Sequence, residues 1–272
     1  MMNVVDGAEI ETSLERDCEV VIVGSGPAGA TVARQLARQG VDVVIVEQGP
    51  WVRPEEFPKD MFSSLAMMWR DMGSSLTDSW PPMPVLQGVA VGGSSIVNGS
   101  ICWRLPEYVY ESWCERDPAL REAVPWEELV ADFESIEEEL NVSPTDYERA
   151  GRNNQLFADG ATALGLEHKP TDLNAVEDCP HGMRGCPEGH RMSMDQTYLP
   201  EACEAGAEII SCTTVRRIER EGDRAVGVGG MTSSGGQVRV RADHGVVLAA
   251  SAIQTPALLI ENGIRHGPVG DN

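Results

Sequence analysis

Residues 19–49, EVVIVGSGPAGATVARQLARQGVDVVIVEQG, constrain the fold more than any other stretch of this chain. An apolar strand, Val20 to Val23, runs into Gly24-Ser25-Gly26-Pro27-Ala28-Gly29. A helical stretch follows, then a second apolar strand, Val43 to Val46, that ends on Glu47. Gly24 permits a tight turn, Gly26 leaves room for a pyrophosphate, and Gly29 lets the helix pack close to the strand. The helix N-terminus presents free N–H groups and a positive dipole end to phosphate. Glu47 lies 18 residues after Gly29, where a carboxylate can accept hydrogen bonds from ribose hydroxyls. Strand, glycines, helix, strand and acid in this order specify a βαβ unit of an α/β fold that binds a dinucleotide.

Charge narrows the partners. The chain has 272 residues, with 21 basic and 43 acidic side chains and a formal charge of −22. That field repels phosphate backbones and anionic lipid, so neither nucleic acid nor a membrane surface is expected as a partner. An anionic cofactor must then be held by backbone N–H groups and dipoles. The start, MMNVVDGAEIETSLERD, has no basic n-region and no apolar h-region, so it does not read as a secretory signal. No apolar stretch approaches the roughly 20 residues that span a bilayer. Seven irregularly spaced cysteines do not read as a disulfide framework, and a reduced cytoplasmic setting is expected.

Residues 1–17 read as a polar, poorly ordered leader. Pro50 to Pro84, rich in Pro, Met, Trp and Ser, reads as a long excursion with one short helix around Met61 to Met72. Apolar residues at three- and four-residue spacing predict helices over Pro106–Arg116, Trp126–Leu140 and Asn154–Leu164, and Gln196–Ala205 reads as a fourth. From Ala207 the pattern changes to strands: EIISC, TTVRRIERE, AVGVGGMT and QVRVRAD read as a β-meander. Gly245 to Ala250 (GVVLAA) reads as a separate strand buried on both faces. A helix over Gln254–Glu261, closed by Asn262-Gly263, ends the pattern.

A second glycine motif, Gly92-Gly93-Ser94-Ser95-Ile96-Val97-Asn98-Gly99, follows the first by about 65 residues. Paired glycines let a backbone approach a flat ring, and hydroxyls and the Asn98 amide can satisfy ring carbonyls and nitrogens. QGVAVGGSSIVNGSICWR resembles the first signature of the glucose–methanol–choline (GMC) flavoprotein oxidoreductases. SAIQTPALLIENGI, Ser251 to Ile264, resembles their second signature, which usually reads GAIxSPxLLxxSGIG. GHRMSMDQTYLPEACEAGAEI resembles a stretch of bacterial members in which a lysine is more usual than Arg191. With the N-terminal motif, the matches cover nearly all of the chain from Cys18 to Asn272.

The resemblance implies a doubly wound, Rossmann-like FAD-binding core, discontinuous in sequence (residues 18–105 and 206–272), with a cap-like helical excursion over 106–205. It implies FAD rather than NAD. By matching position, Gly24, Gly26, Ala28 and Gly29 would face the pyrophosphate and Glu47 the adenosine ribose. Gly92, Gly93, Ser95, Asn98 and Gly99 would line the flavin side, Val215 would meet adenine through its backbone, and Ala250 and Ser251 would lie near the diphosphate. Some members attach flavin through a histidine just before the asparagine of the motif. Val97 stands there, so non-covalent FAD is expected.

Members oxidise an alcohol to a carbonyl as a histidine removes the hydroxyl proton and hydride moves to flavin N5, after which the electrons pass to oxygen or another acceptor. That histidine lies well beyond the second signature, past Asn272. His168, His181, His190, His244 and His266 do not stand in its context. The resemblance therefore leaves three readings: an alcohol-oxidising flavoenzyme, an FAD-binding half that needs a second chain supplying the C-terminal half, or a hydroxynitrile-lyase-like member whose flavin is structural. Cys179, His181, Cys186 and His190 form a C-x-H-x4-C-x3-H cluster with four possible zinc ligands, but its spacing is not a zinc pattern and a packed loop is expected. Trp69, Trp80, Trp103, Trp113 and Trp126, with Met61, Met67, Met68, Met72 and Met83, read either as core filler or as a roof for an apolar substrate, the latter for the 61–83 group.

Overall fold

A computed structural model describes residues 2–146, 150–176 and 182–271. Its strands are β1 (Val4–Asp6), β2 (Ser13–Val23), β3 (Val43–Val46), β4 (Val142–Pro144), β5 (Asp172–Asn174), β6 (Glu208–Ser211), β7 (Thr213–Glu221), β8 (Arg224–Thr232) and β9 (Gln237–Leu248). Its helices are α1 (Pro27–Arg38), α2 (Met61–Met68), α3 (Glu107–Arg116), α4 (Leu120–Ala123), α5 (Trp126–Glu139), α6 (Gly151–Ala163), α7 (Tyr198–Glu204) and α8 (Ser251–Glu261). The chain forms two compact units: residues 1–98 with 181–189 and 193–272, and residues 99–180 with 190–192.

The first unit is built on a seven-stranded sheet in the order β1-β6-β3-β2-β9-β8-β7. The first five are parallel, and β8 and β7 are antiparallel additions. This is the expected Rossmann-like α/β core. The burial pattern of β2 explains its two roles. Ser13 to Cys18 alternate exposed and shielded side chains, and this half pairs only with β9 and faces solvent on one side. After a register shift between Cys18 and Val20, Val21, Ile22 and Val23 are buried, and this half lies between β3 and β9. The core around it joins Val21, Val44, Ile210, Val228, Val240 and Leu258.

Helix α1 turns a face of small residues, Gly29, Ala30, Ala33 and Ala37, inward, which lets its axis approach the sheet closely. Arg34 lies on the same face, buried, with its guanidinium 4.0 Å from the Tyr198 ring centroid and its Nε 2.6 Å from Glu201 Oε2. That ion pair fastens α1 to α7.

Four sequence expectations change. Residues 4–6 are ordered, as the edge strand β1 paired with β6, and Ser13–Asp17 open β2. EIISC is not part of the meander. It is the parallel core strand β6 between β1 and β3, because periodicity marks a strand but not its partner. QVRVRAD and the GVVL of GVVLAA are one strand, β9, and Val246 to Leu248 are half-buried rather than enclosed. The excursion expected over 106–205 starts at Gly99, while residues 181–189 and 193–205 cluster with the core.

The second unit carries α3 to α6 and a two-stranded ribbon in which β4 pairs antiparallel with β5. Tyr110 packs against Trp126 with ring centroids 5.2 Å apart, and its hydroxyl donates to the Val124 carbonyl at 2.9 Å. Arg104 donates twice to Glu137, at 2.7 and 2.6 Å.

Candidate functional site

The parallel strands of the first unit end at a cleft of about 270 Å³. Ligands of open α/β sheets bind at such carboxyl ends. Its walls include Gly24, Gly26, Ala28, Glu47, Gly93, Val215, Ala250 and Ser251. These come from the β2–α1 turn, the end of β3, the second glycine motif, β7 and the start of α8, so residues up to 227 positions apart line one space.

The backbone explains the glycines. Gly29 packs so closely that a Cβ there would drive into the Gly24 carbonyl oxygen. At Gly26 a Cβ would meet only the Gly93 α-carbon, at 3.9 Å, so the space in front of this residue is open cleft. Gly92 and Gly93 are both left-handed, with φ of +103° and +58°. A backbone cradle that a side chain would fill, set at a helix N-terminus, fits a diphosphate.

Glu47 is buried on the cleft wall. Its Oε2 accepts from the Ser25 N–H at 2.9 Å and the Ser25 hydroxyl at 2.7 Å, and its Oε1 accepts from the Gly49 N–H at 2.8 Å. Burial pushes its carboxyl above the usual 4.5, and these hydrogen bonds pull in the opposite direction. The Ser25 hydroxyl in turn accepts from the Gly92 N–H at 3.0 Å. The Ser95 hydroxyl donates to the Gly92 carbonyl at 2.6 Å and accepts from the Met194 N–H at 3.1 Å. Carboxylate, first glycine motif, second glycine motif and the strap at Ser193–Thr197 thus form one buried network.

Of the residues singled out in the sequence, Gly29, Gly92 and Ser95 hold this wall from behind; Gly92 and Ser95 are buried and bonded as above. Asn98 is exposed, and Gly99 opens the second unit. Val97 is buried with Val52, Phe57, Met68, Trp69 and Ile96. Met68 and Trp69 are therefore core filler, whereas Phe62, Leu76 and Trp80 of the same segment are exposed. Cys179 and His181 lie outside the described residues. Cys186 is buried in the first unit and His190 belongs to the second. No cluster of three metal-ligating side chains occurs among the described residues.

Sequence reasoning missed Ser25, Gln87, Gln254, Arg70 and Arg216. All except Ser25 line the cleft. Gln87 Nε2 donates to the Ser251 hydroxyl at 2.9 Å, and Arg70 Nη2 donates to Gln48 Oε1 at 2.8 Å. Ser25 occupies the free position of the glycine motif, so nothing in the pattern marks it. Gln87 opens the stretch that carried the second motif, where its proximity to the glycines was the available signal.

The fold and the cleft define a dinucleotide-binding α/β protein with a second, distant glycine loop on the same cleft. The family model for GMC oxidoreductases matches residues 19–272, and the chain belongs to that family, whose members bind FAD. An uncharacterized GMC-type oxidoreductase of Mycobacterium tuberculosis is 36% identical over 261 residues, covering 93% of this chain and 40% of that protein. A long-chain-alcohol oxidase of Arabidopsis thaliana is 28% identical over 272 residues, covering 94% of this chain and 35% of the relative. The crystal structure of pyridoxine 4-oxidase from Mesorbium loti superimposes with a TM-score of 0.69 at 21% identity, covering 93% of this chain and 53% of that one. This chain thus spans about two fifths of the length of these two curated relatives. No described helix is long and apolar enough to cross a membrane.

Proposed function

We propose that this chain holds FAD non-covalently and forms the cofactor-binding part of an oxidoreductase that converts the CH–OH group of an alcohol to a carbonyl. The observation that carries the reading is the meeting of the two glycine motifs on one cleft, with a β-carbon on Gly93 reaching to 2.7 Å from the Gly26 α-carbon. The α1 N-terminus and Gly24, Gly26 and Ala28 take the diphosphate. Glu47 accepts from the adenosine ribose, and the Val215 backbone faces adenine. Ala250 and Ser251 flank the diphosphate, and Gly92 and Gly93, supported by Ser95, carry the flavin side, with Asn98 and Gly99 the further expected flavin-side positions. Bound flavin supplies the two-electron acceptor for hydride from the carbinol carbon.

The alcohol reading draws on family membership and on the long-chain-alcohol oxidase relative. The test is anaerobic titration of the FAD-loaded protein with a series of primary and secondary alcohols, from short to long chain. Loss of oxidised-flavin absorbance with a stoichiometric carbonyl product supports it. Flavin that stays oxidised with every alcohol, while a cyanohydrin is split to a carbonyl and hydrogen cyanide, points instead to lyase chemistry.

A second reading is favoured by the share of the relatives that the chain covers. Here the chain binds FAD but turns over only when the remaining family length, with its proton-accepting histidine, is supplied by another segment. Adding that segment from a relative restores alcohol-dependent flavin reduction under this reading, and full reduction by the chain alone, unchanged by the segment, contradicts it.

A further inference from the structure

Ser25 is fully buried, sits between two cleft-lining glycines, and lies outside the cleft wall itself. It has one proton to donate. Because its hydroxyl oxygen accepts from the Gly92 N–H, that proton goes to Glu47 Oε2, so the direction of the relay is fixed. The two ends of the relay belong to different motifs that meet on the cleft. Glu47 stands where the second βαβ strand ends, and Gly92 precedes the cleft-lining Gly93 at a distance of 67 residues from Ser25 in sequence.

We propose that Ser25 is a positioning residue that couples the two ends of the cofactor cleft, transmitting occupancy at Glu47 to the glycine pair Gly92–Gly93. This rests on the FAD reading above. The chemistry is short. A ligand hydroxyl that donates to the Glu47 carboxylate joins its three protein donors and pins it in place. The Ser25 hydroxyl is then held, and its oxygen holds the Gly92 N–H. Gly92 is a left-handed residue between two other tethers, the Ser95 hydroxyl on its carbonyl and the backbone of Gly93 against Gly26. The peptide has little freedom besides rotation, and rotation re-aims the cleft-lining Gly93. Buried networks of this kind are cooperative because each hydrogen bond polarises the next.

A hydroxyl that only satisfied the buried Gly92 N–H would stabilise the protein equally with and without ligand. The coupling makes a further demand: a ligand confined to the adenosine end alters the second glycine loop. ADP is that ligand, since it lacks the flavin. Hydrogen exchange is followed by mass spectrometry in peptides covering residues 24–31 and 88–98, in the protein alone and with saturating ADP or FAD. In the wild type, ADP slows exchange at 24–31 and also at 88–98, the latter by on the order of tenfold, the scale of one charge-assisted hydrogen bond. In Ser25→Ala and Ser25→Gly, saturating ADP still slows 24–31 but leaves 88–98 unchanged, while FAD slows both. Wild-type protection by ADP at 24–31 without any at 88–98 overturns the coupling, as does equal protection of 88–98 in wild type and both variants. Failure of the wild type to bind either ADP or FAD overturns the cofactor reading and the coupling with it.

Discussion

A β-carbon added to Gly93 would stand 2.7 Å from the α-carbon of Gly26, so the two glycine motifs touch backbone to backbone. The contact is asymmetric. The reverse addition, a β-carbon on Gly26, meets Gly93 at 3.9 Å, an ordinary van der Waals distance. Gly26 also has a φ of −65°, which any residue adopts.

That asymmetry separates folding from binding. Gly26→Ala leaves unfolding free energy within about 0.5 kcal/mol of wild type. It weakens FAD binding by on the order of tenfold or more, because the methyl fills the cradle. Gly93→Ala adds a left-handed alanine to a steric clash and lowers stability by roughly 2–4 kcal/mol. Urea denaturation and flavin fluorescence quenching, run on both variants, check the pair.

Glu47 supplies a pH dependence of defined sign. Burial raises its carboxyl above 4.5 in the folded, ligand-free protein. The folded state therefore holds a proton that the unfolded chain has released. Stability from this group is fully present below 4.5 and is lost as pH rises through the raised folded value. In a urea series at increasing pH, the stability of wild type relative to Glu47→Gln falls. A rise contradicts the assignment.

Glu219 behaves in the opposite way. Burial would raise its carboxyl, but Arg239 and Arg217 outweigh that and hold it below the usual range. Arg239 Nε lies 3.0 and 2.9 Å from its two oxygens, and Arg217 Nη2 lies 3.1 Å from Oε1. The Arg239 contact ties β9 to β7 across β8, and the Arg217 contact lies within β7. Their stabilisation is present above the ordinary carboxylate value and is lost as pH falls through the lowered one. Glu219→Gln costs about 1 kcal/mol at neutral pH and nothing in strong acid, as thermal unfolding at the two pH values would show.

Ser251 stands where the second signature usually carries glycine, and its φ is +87°. Its hydroxyl repays the strain by accepting from the Ile253 and Gln254 N–H groups at 3.3 and 3.1 Å, capping α8, and from Gln87 at 2.9 Å. Ser251→Ala keeps the strain and loses the cap, at a cost of about 1–2 kcal/mol. Ser251→Gly removes both and stays within about 1 kcal/mol of wild type. Equal losses in the two variants would show that the left-handed backbone carries no strain.

Local pattern carried much of this architecture. The βαβ unit was readable because apolar runs, glycines and an acid at fixed spacing all act within about 30 residues. Helices α3 and α5 were readable from their apolar spacing, to within one residue of the observed ends. Strand β1 was not: three residues carry no period, and they are held by β6, whose paired residues lie 205 positions away. The placement of β6 in the parallel core was hidden for the same reason, since a strand pattern does not name its neighbour. At the site, the individual glycines were visible, but the contact of Gly93 with Gly26 was not. Ser25 was overlooked because its importance lies in bonds to Glu47 and Gly92, 22 and 67 residues away.

The claim that the two glycine motifs share one FAD is tested most directly by titrating the purified protein with FAD and following flavin fluorescence, in wild type, Gly26→Ala and Ser251→Gly. Quenching that saturates at one FAD per chain in wild type and in Ser251→Gly, and is weakened by on the order of tenfold or more in Gly26→Ala, is the predicted result. Wild-type protein that leaves FAD fluorescence unquenched, or Gly26→Ala that binds FAD as wild type does, would contradict it.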